Sequence, residues 1–167
     1  MIAYRDASPE DAAALADFSR DTFVETFGHL YPTEDLQAYI ASKYRADLQR
    51  AEIEDESIHY RLAFDGEDIV GYCKSGALTL GDEPNALELH RLYVAARVKG
   101  AGVARTLMEE ALAWARARGA RSLYLGVWEN NHRAQAFYRR FGFEHMSEHA
   151  FMVGRVRDRD FIWRLAL

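Results

Sequence analysis

A single cysteine, Cys73, stands in 167 residues, which excludes an intrachain disulfide and agrees with a reducing compartment. Its place in a strand-like run reads as a small buried side chain. No apolar stretch approaches the length that spans a bilayer, and "MIAYRDASPED" at the N-terminus lacks the ordered regions of a signal peptide. The expected location is the cytoplasm, with no membrane partner. Lys/Arg clusters interleaved with aromatics are also missing, which argues against nucleic-acid binding. The histidines lack metal-ligand spacing, so no metal is expected. Linkers, internal repeats and low-complexity segments are absent, and residues 1–167 read as one domain.

The apolar fraction of 49% and charged fraction of 28% are those of a chain that folds around a core. The charge is unevenly spread. Residues 1–83 carry 7 Lys+Arg against 18 Asp+Glu, and residues 84–167 carry 14 against 8. That split suits an anionic ligand on the second half and a cationic one near the first, or two solvated faces without consequence.

The residue pattern predicts a mixed α/β domain with a largely antiparallel sheet. "IAYR" reads as a first strand, and Ser8-Pro9-Glu10-Asp11 as an N-cap, a helix-starting proline and first-turn acids. Helix spacing then runs to Phe27, with Gly28 as its stop. A second helix restarts at Thr33 with Leu36, Tyr39 and Ile40 on one face, and a third covers Ala46 to Glu54. "IHYRLAF" and "DIVGYCKSGALTL" form a hairpin across Asp65-Gly66, and "LELHRLYVA" follows. Val103, Ala104, Leu107, Met108, Ala111, Leu112 and Ala115 form a helical stripe ended by Gly119. "SLYLGV", a helix from Asn131 to Phe141, and the strands "FEHMSEHAFMV" and "RDFIWRLAL" complete the order.

The stretch "RVKGAGVART", Arg97 to Thr106, joins a strand to a helix through Gly100 and Gly102. Strand, glycine loop and helix together present unpaired backbone N–H groups to an anion. Two glycines let a phosphate approach the main chain, and Arg97 and Lys99 add positive charge. A plain turn would use the same glycines. A P-loop would end in Gly-Lys-Ser/Thr, but Val103-Ala104 follows Gly102; a dinucleotide fingerprint would need a small residue where Arg105 stands.

"RVKGAGVA" resembles the acetyl-CoA pyrophosphate signature of the GNAT superfamily of N-acetyltransferases. "NHRAQAFYRRFGF", with Asn131, Ala134, Phe137, Tyr138, Gly142 and Phe143, is similar to a second signature of that family. The element order resembles the family's across nearly the whole chain. The resemblance implies a GNAT fold whose sheet splays between its fourth and fifth strands. It implies an acetyl-CoA-dependent N-acetyltransferase in which the amine of a small molecule attacks the thioester directly in a ternary complex. The pantetheine would lie along Leu92, Tyr93 and Val94. The pyrophosphate would sit on the loop of Arg97, Val98, Lys99, Gly100, Ala101, Gly102, Val103, Ala104 and Arg105. Asn131 would contact the pantetheine, with Ala134 and Phe137 on the same helix, and Tyr138 would protonate the departing sulfur. Outside that motif, Tyr138 also fits an ordinary packing stripe with Phe137 and Phe141.

For the base, Glu88 and His90 lie two apart and share one face of their strand unless a bulge intervenes. In parts of the family a carboxylate on this strand takes the amine proton, which puts Glu88 first and His90 second. A solvated Glu88 and a hydrogen-bonded core histidine are the alternative. "DTFVETFGHLYPTEDLQAYI" and "FMVGRVRDRDFIW" resemble bacterial polyamine (spermidine/spermine-type) acetyltransferases, which implies Glu25, Glu34 and Asp35 at the acceptor site. Arg155, Val156 and Asp158 depart from that group's pattern, whereas Gly154 and Asp160 keep it. A protein N-acetyltransferase and a non-catalytic acetyl-CoA-binding module are the other readings. Homodimers are common among similar proteins.

Overall fold

Two residues past the first strand, Ser8 caps the turn that follows: the Asp11 carboxylate accepts from the Ser8 amide at 2.8 Å and from its hydroxyl at 3.2 Å. Pro9–Asp11 make one 3-10 turn, and the chain enters a long helix as the capping residues predict. The computed structural model describes residues 1–167. Its strands are β1 (Ile2–Asp6), β2 (His59–Asp65), β3 (Asp68–Ala77), β4 (Ala86–Val94), β5 (Ser122–Trp128), β6 (Glu144–Val153) and β7 (Val156–Ala166). Its helices are α1 (Ala12–Phe27), α2 (Thr33–Lys43), α3 (Ala46–Glu54), α4 (Val103–Ala117) and α5 (His132–Arg140). Gly28 caps α1 after Phe27, as expected, with a right-handed φ of −57°, and Gly28–Leu30 tighten into a 3-10 turn.

The seven strands form one sheet in the order β1-β2-β3-β4-β5-β7-β6. Every pairing is antiparallel except β4 with β5, which pair only from Ala86–Glu88 to Ser122–Tyr124 and separate beyond that level. The family-like splay between the fourth and fifth strands is therefore present. A bulge interrupts β4: Lys74 faces Arg91 and Ser75 faces Leu89, which leaves His90 as the extra residue.

Two cores cover the two faces of the sheet. The apolar stripe of α4 buries Val103, Leu107, Met108, Ala111 and Ala115 against Cys73, Leu89, Leu123, Leu125 and Trp163. Cys73 is fully buried, as its strand setting predicts, with Sγ 3.6 Å from the Leu107 carbonyl oxygen. On the other face Leu15 packs with Tyr60, Leu62, Phe64 and Tyr72. A smaller cluster around Phe23, Tyr44 and Val153 gathers Phe27, Tyr31, Tyr39 and Phe151, fastening α1 and α2 to the β6–β7 hairpin. That fastening closes one side of the space opened by the splay.

Candidate active site

A cavity of about 530 Å³ fills the splay between β4 and β5 and runs from the glycine loop to the β6–β7 hairpin. At the loop end, Gly100 and Gly102 take φ of +88° and +84°, a region that costs other residues strain. This left-handed turn delivers the chain into α4 with its first amides pointing outward. The first main-chain bond of the helix is Thr106 N to Gly102 O, so the amides of Val103, Ala104 and Arg105 donate to no carbonyl. With the positive end of the α4 dipole, they make an anion cradle. Lys99, Arg105, Arg133 and Arg140 line the same end, the last two from α5. These groups fit a diphosphate of coenzyme A.

Leu92, Tyr93, Val94, Val98, Lys99, Gly100, Gly102, Val103, Ala104 and Arg105 all reach the cavity, as do Asn131, Ala134, Phe137 and Tyr138. Arg97 does not. Its guanidinium turns to the β2–β3 turn, 2.7 Å from Asp65 and 3.6 Å from Asp68, where two carboxylates outcompete the loop for it. Ala101 is exposed and faces away from the cavity.

Asn131 caps α5 by accepting from the Ala134 amide at 3.2 Å. Gln135, which the sequence pattern gave no reason to single out, is buried and donates to the carbonyls of Trp128 and Glu129. It rivets α5 to the end of β5. Tyr138, one turn from Ala134, is 9% exposed and its hydroxyl has no hydrogen bond within the protein. Burial pushes its pKa up to about 12, so the phenol stays protonated and available as a proton donor.

Glu88 and His90 stay in contact across the bulge in β4. Glu88 Oε1 lies 3.3 Å from His90 Nδ1, and Oε2 accepts from Thr79 N at 2.7 Å and from its hydroxyl at 2.8 Å. Burial would raise the Glu88 pKa, but the bonds from His90 and Thr79 hold it below the usual carboxylate range. Of the two, only His90 lines the cavity; Glu88 stands behind it. The resemblance put Glu88 first; the residue that reaches the cavity is His90.

The acceptor-side residues expected in the first half of the chain do not line the cavity. Glu25 and Glu34 are exposed and lie outside the cavity. Asp35 is buried, but it accepts from the Arg155 amide at 3.3 Å, and its carboxylate packs where a Cβ on Gly154 would stand. It locks α2 to the hairpin turn. The cavity's carboxylates are instead Asp158 and Asp160, two apart on one face of β7. Asp158 accepts from the Tyr31 hydroxyl, whereas Asp160 has no protein partner. Burial, then the charge of Asp158, raises the Asp160 pKa to about 6. The alternation "DRD" beside the paired strand was the available sequence signal.

The profile of the acetyltransferase (GNAT) family matches residues 14–143. An uncharacterized N-acetyltransferase in the pepI 3′ region of Lactobacillus delbrueckii subsp. lactis is 34% identical over 164 residues, covering 96% of this chain and 94% of that protein. An uncharacterized N-acetyltransferase of Mycobacterium tuberculosis is 32% identical over 142 residues, covering 82% and 88%. Among solved structures, the PaiA N-acetyltransferase of Thermoplasma acidophilum in complex with coenzyme A superposes with a TM-score of 0.82 at 23% identity, covering 100% of this chain and 99% of that one.

Proposed function

The chain belongs to the acetyltransferase (GNAT) family and is an N-acetyltransferase with acetyl-CoA as donor, and from that premise we propose that it acetylates a primary amine of a small molecule. The observation that carries this reading is the single cavity with an anion cradle at one end and Asp158 and Asp160 at the other, with His90 and Tyr138 on its walls. Acetyl-CoA supplies an activated thioester. The amides of Val103 to Arg105 would hold its diphosphate, with Lys99, Arg133 and Arg140 adding charge. Leu92 to Val94 would run beside its arm.

No protein nucleophile takes part. Cys73, the one thiol, is buried against Leu107 outside the cavity, and burial pushes its pKa up to about 12. The acceptor amine attacks directly, in a complex of both substrates. His90 receives the amine proton, with Glu88 behind it holding the imidazole and offsetting the charge it gains. Tyr138 delivers a proton to the leaving sulfur. Asp158 and Asp160 attract the cationic form of the acceptor to the far end.

A peptide acceptor would need an open trough beside the sheet. Here Tyr31 on Asp158, Asp35 on Arg155 and the edge-to-face rings of Tyr39 and Phe151 tie α1–α2 to the hairpin, which supports a small acceptor. Competition between small primary amines and peptides with free N-termini, read by mass spectrometry, tests it. Acetylation of the small amines is expected, and exclusive acetylation of the peptides would overturn it.

A further inference from the structure

Strand register sets an aromatic ring beside each carboxylate of the acceptor end. Trp128 on β5 is directly opposite Asp160 on β7, and Phe151 on β6 is directly opposite Asp158. Opposed residues of an antiparallel pair project to the same face with Cβ atoms about 5 Å apart. Phe27 of α1 completes the wall, edge-to-face with Trp128 at 6.1 Å. All of these side chains line the cavity.

The charges in this chamber suit one cation. Asp158 already accepts from Tyr31, and Asp158 and Asp160 are adjacent enough to act on each other, so they form a single acidic locus. The acids that would read a second ammonium are elsewhere: Glu25 and Glu34 lie outside the cavity, and Asp35 is spent on the hairpin turn. Arg91 lines the same cavity with its Nη1 buried and unpartnered. The carboxylate behind it, Glu52, is taken by Lys74 at 2.6 Å and by the Tyr60 hydroxyl. A second ammonium would therefore meet the like charge of Arg91, whose guanidinium already lies over the Tyr44 ring at 4.9 Å, whereas a flat apolar group would find Trp128, Phe27 and Phe151.

From this arrangement, and resting on the acetyl-transfer reading above, we infer that the acceptor is a monoamine bearing an aromatic ring, drawn in by the charge of Asp158 and Asp160 and held with its ring against Trp128. Polyamines are disfavoured by the same geometry. The amine nitrogen forms the new bond to the acetyl carbon as the thioester C–S bond breaks; the amine proton leaves to the protein, and the thiolate takes one.

The test compares 2-phenylethylamine, n-butylamine and spermidine as acceptors, with calorimetric binding of each to the enzyme loaded with coenzyme A. The expected result is kcat/KM for 2-phenylethylamine at least tenfold above that for spermidine, with the same order in affinity. Trp128→Leu, which keeps apolar bulk, should lower kcat/KM for 2-phenylethylamine at least fivefold more than for n-butylamine. Preference for spermidine, or an equal effect of Trp128→Leu on the aryl and alkyl amines, would overturn the inference. Selective binding of 2-phenylethylamine with no acetylation of any amine would instead remove the acetyl-transfer reading and leave the chamber's preference standing.

Discussion

Glu88 Oε1 lies 3.3 Å from His90 Nδ1, while the other oxygen of that carboxylate is held by both the amide and the hydroxyl of Thr79. The carboxylate cannot swing toward the cavity without giving up three partners, so it orients the imidazole that does reach it. His90→Ala is expected to lower kcat by about 10²-fold, the usual scale for losing a positioned base. Glu88→Gln should lower it by about tenfold, and both should leave the KM for acetyl-CoA nearly unchanged. Steady-state kinetics check this; a larger loss in Glu88→Gln than in His90→Ala would make Glu88 the base.

Tyr138 has no hydrogen bond inside the protein and faces the cavity, so removing its hydroxyl disturbs no contact. Tyr138→Phe should lower kcat by about 10- to 100-fold with an unchanged fold and an unchanged Kd for acetyl-CoA. Equal turnover in the variant would remove Tyr138 as the acid.

Asp160 couples activity to stability with opposite signs. Its folded pKa of about 6 exceeds the unfolded value of about 3.9, so the folded state favours the protonated acid. The stability this gives is present below pH 4 and is lost as pH rises toward 6 and beyond. Asp160→Asn should therefore stabilise the protein at pH 7.5 by about 1–2 kcal/mol, discounted for partial solvent screening, and not at pH 4. It should also raise the KM for a cationic amine, and the wild-type KM should rise as pH falls through 6. Thermal melts and kinetics across pH 4–8 read both effects.

Gly102 holds a φ of +84° with no heavy atom near its would-be Cβ, so an added methyl is penalised by backbone conformation and not by a clash. Gly102→Ala should cost about 1 kcal/mol of stability and, by reorienting the amides of Val103 to Arg105, weaken acetyl-CoA binding about five- to tenfold. Calorimetric titration with acetyl-CoA measures it.

The cofactor end was legible in the sequence because its determinants are local. Gly100, Gly102 and the amides after them lie within six residues, and Asn131, Ala134 and Tyr138 share one face of a single helix. The acceptor end was not, because its geometry is made by partners far apart in the chain. Asp35 is claimed by Arg155, 120 residues on, and Arg97 by Asp65, 32 residues back. Spacing alone put Glu88 and His90 on one face, but the bulge that separates their exposure depends on how β3 registers with β4. Likewise the pairing of Trp128 with Asp160 exists only once β5 and β7 are neighbours.

The most direct test of the account is amine-dependent release of free thiol from acetyl-CoA across a panel of small primary amines. Saturable release with at least one amine, accompanied by its N-acetyl product and reduced at least tenfold in Tyr138→Phe, is the predicted result. Tight binding of acetyl-CoA with no amine accelerating thiol release would contradict it.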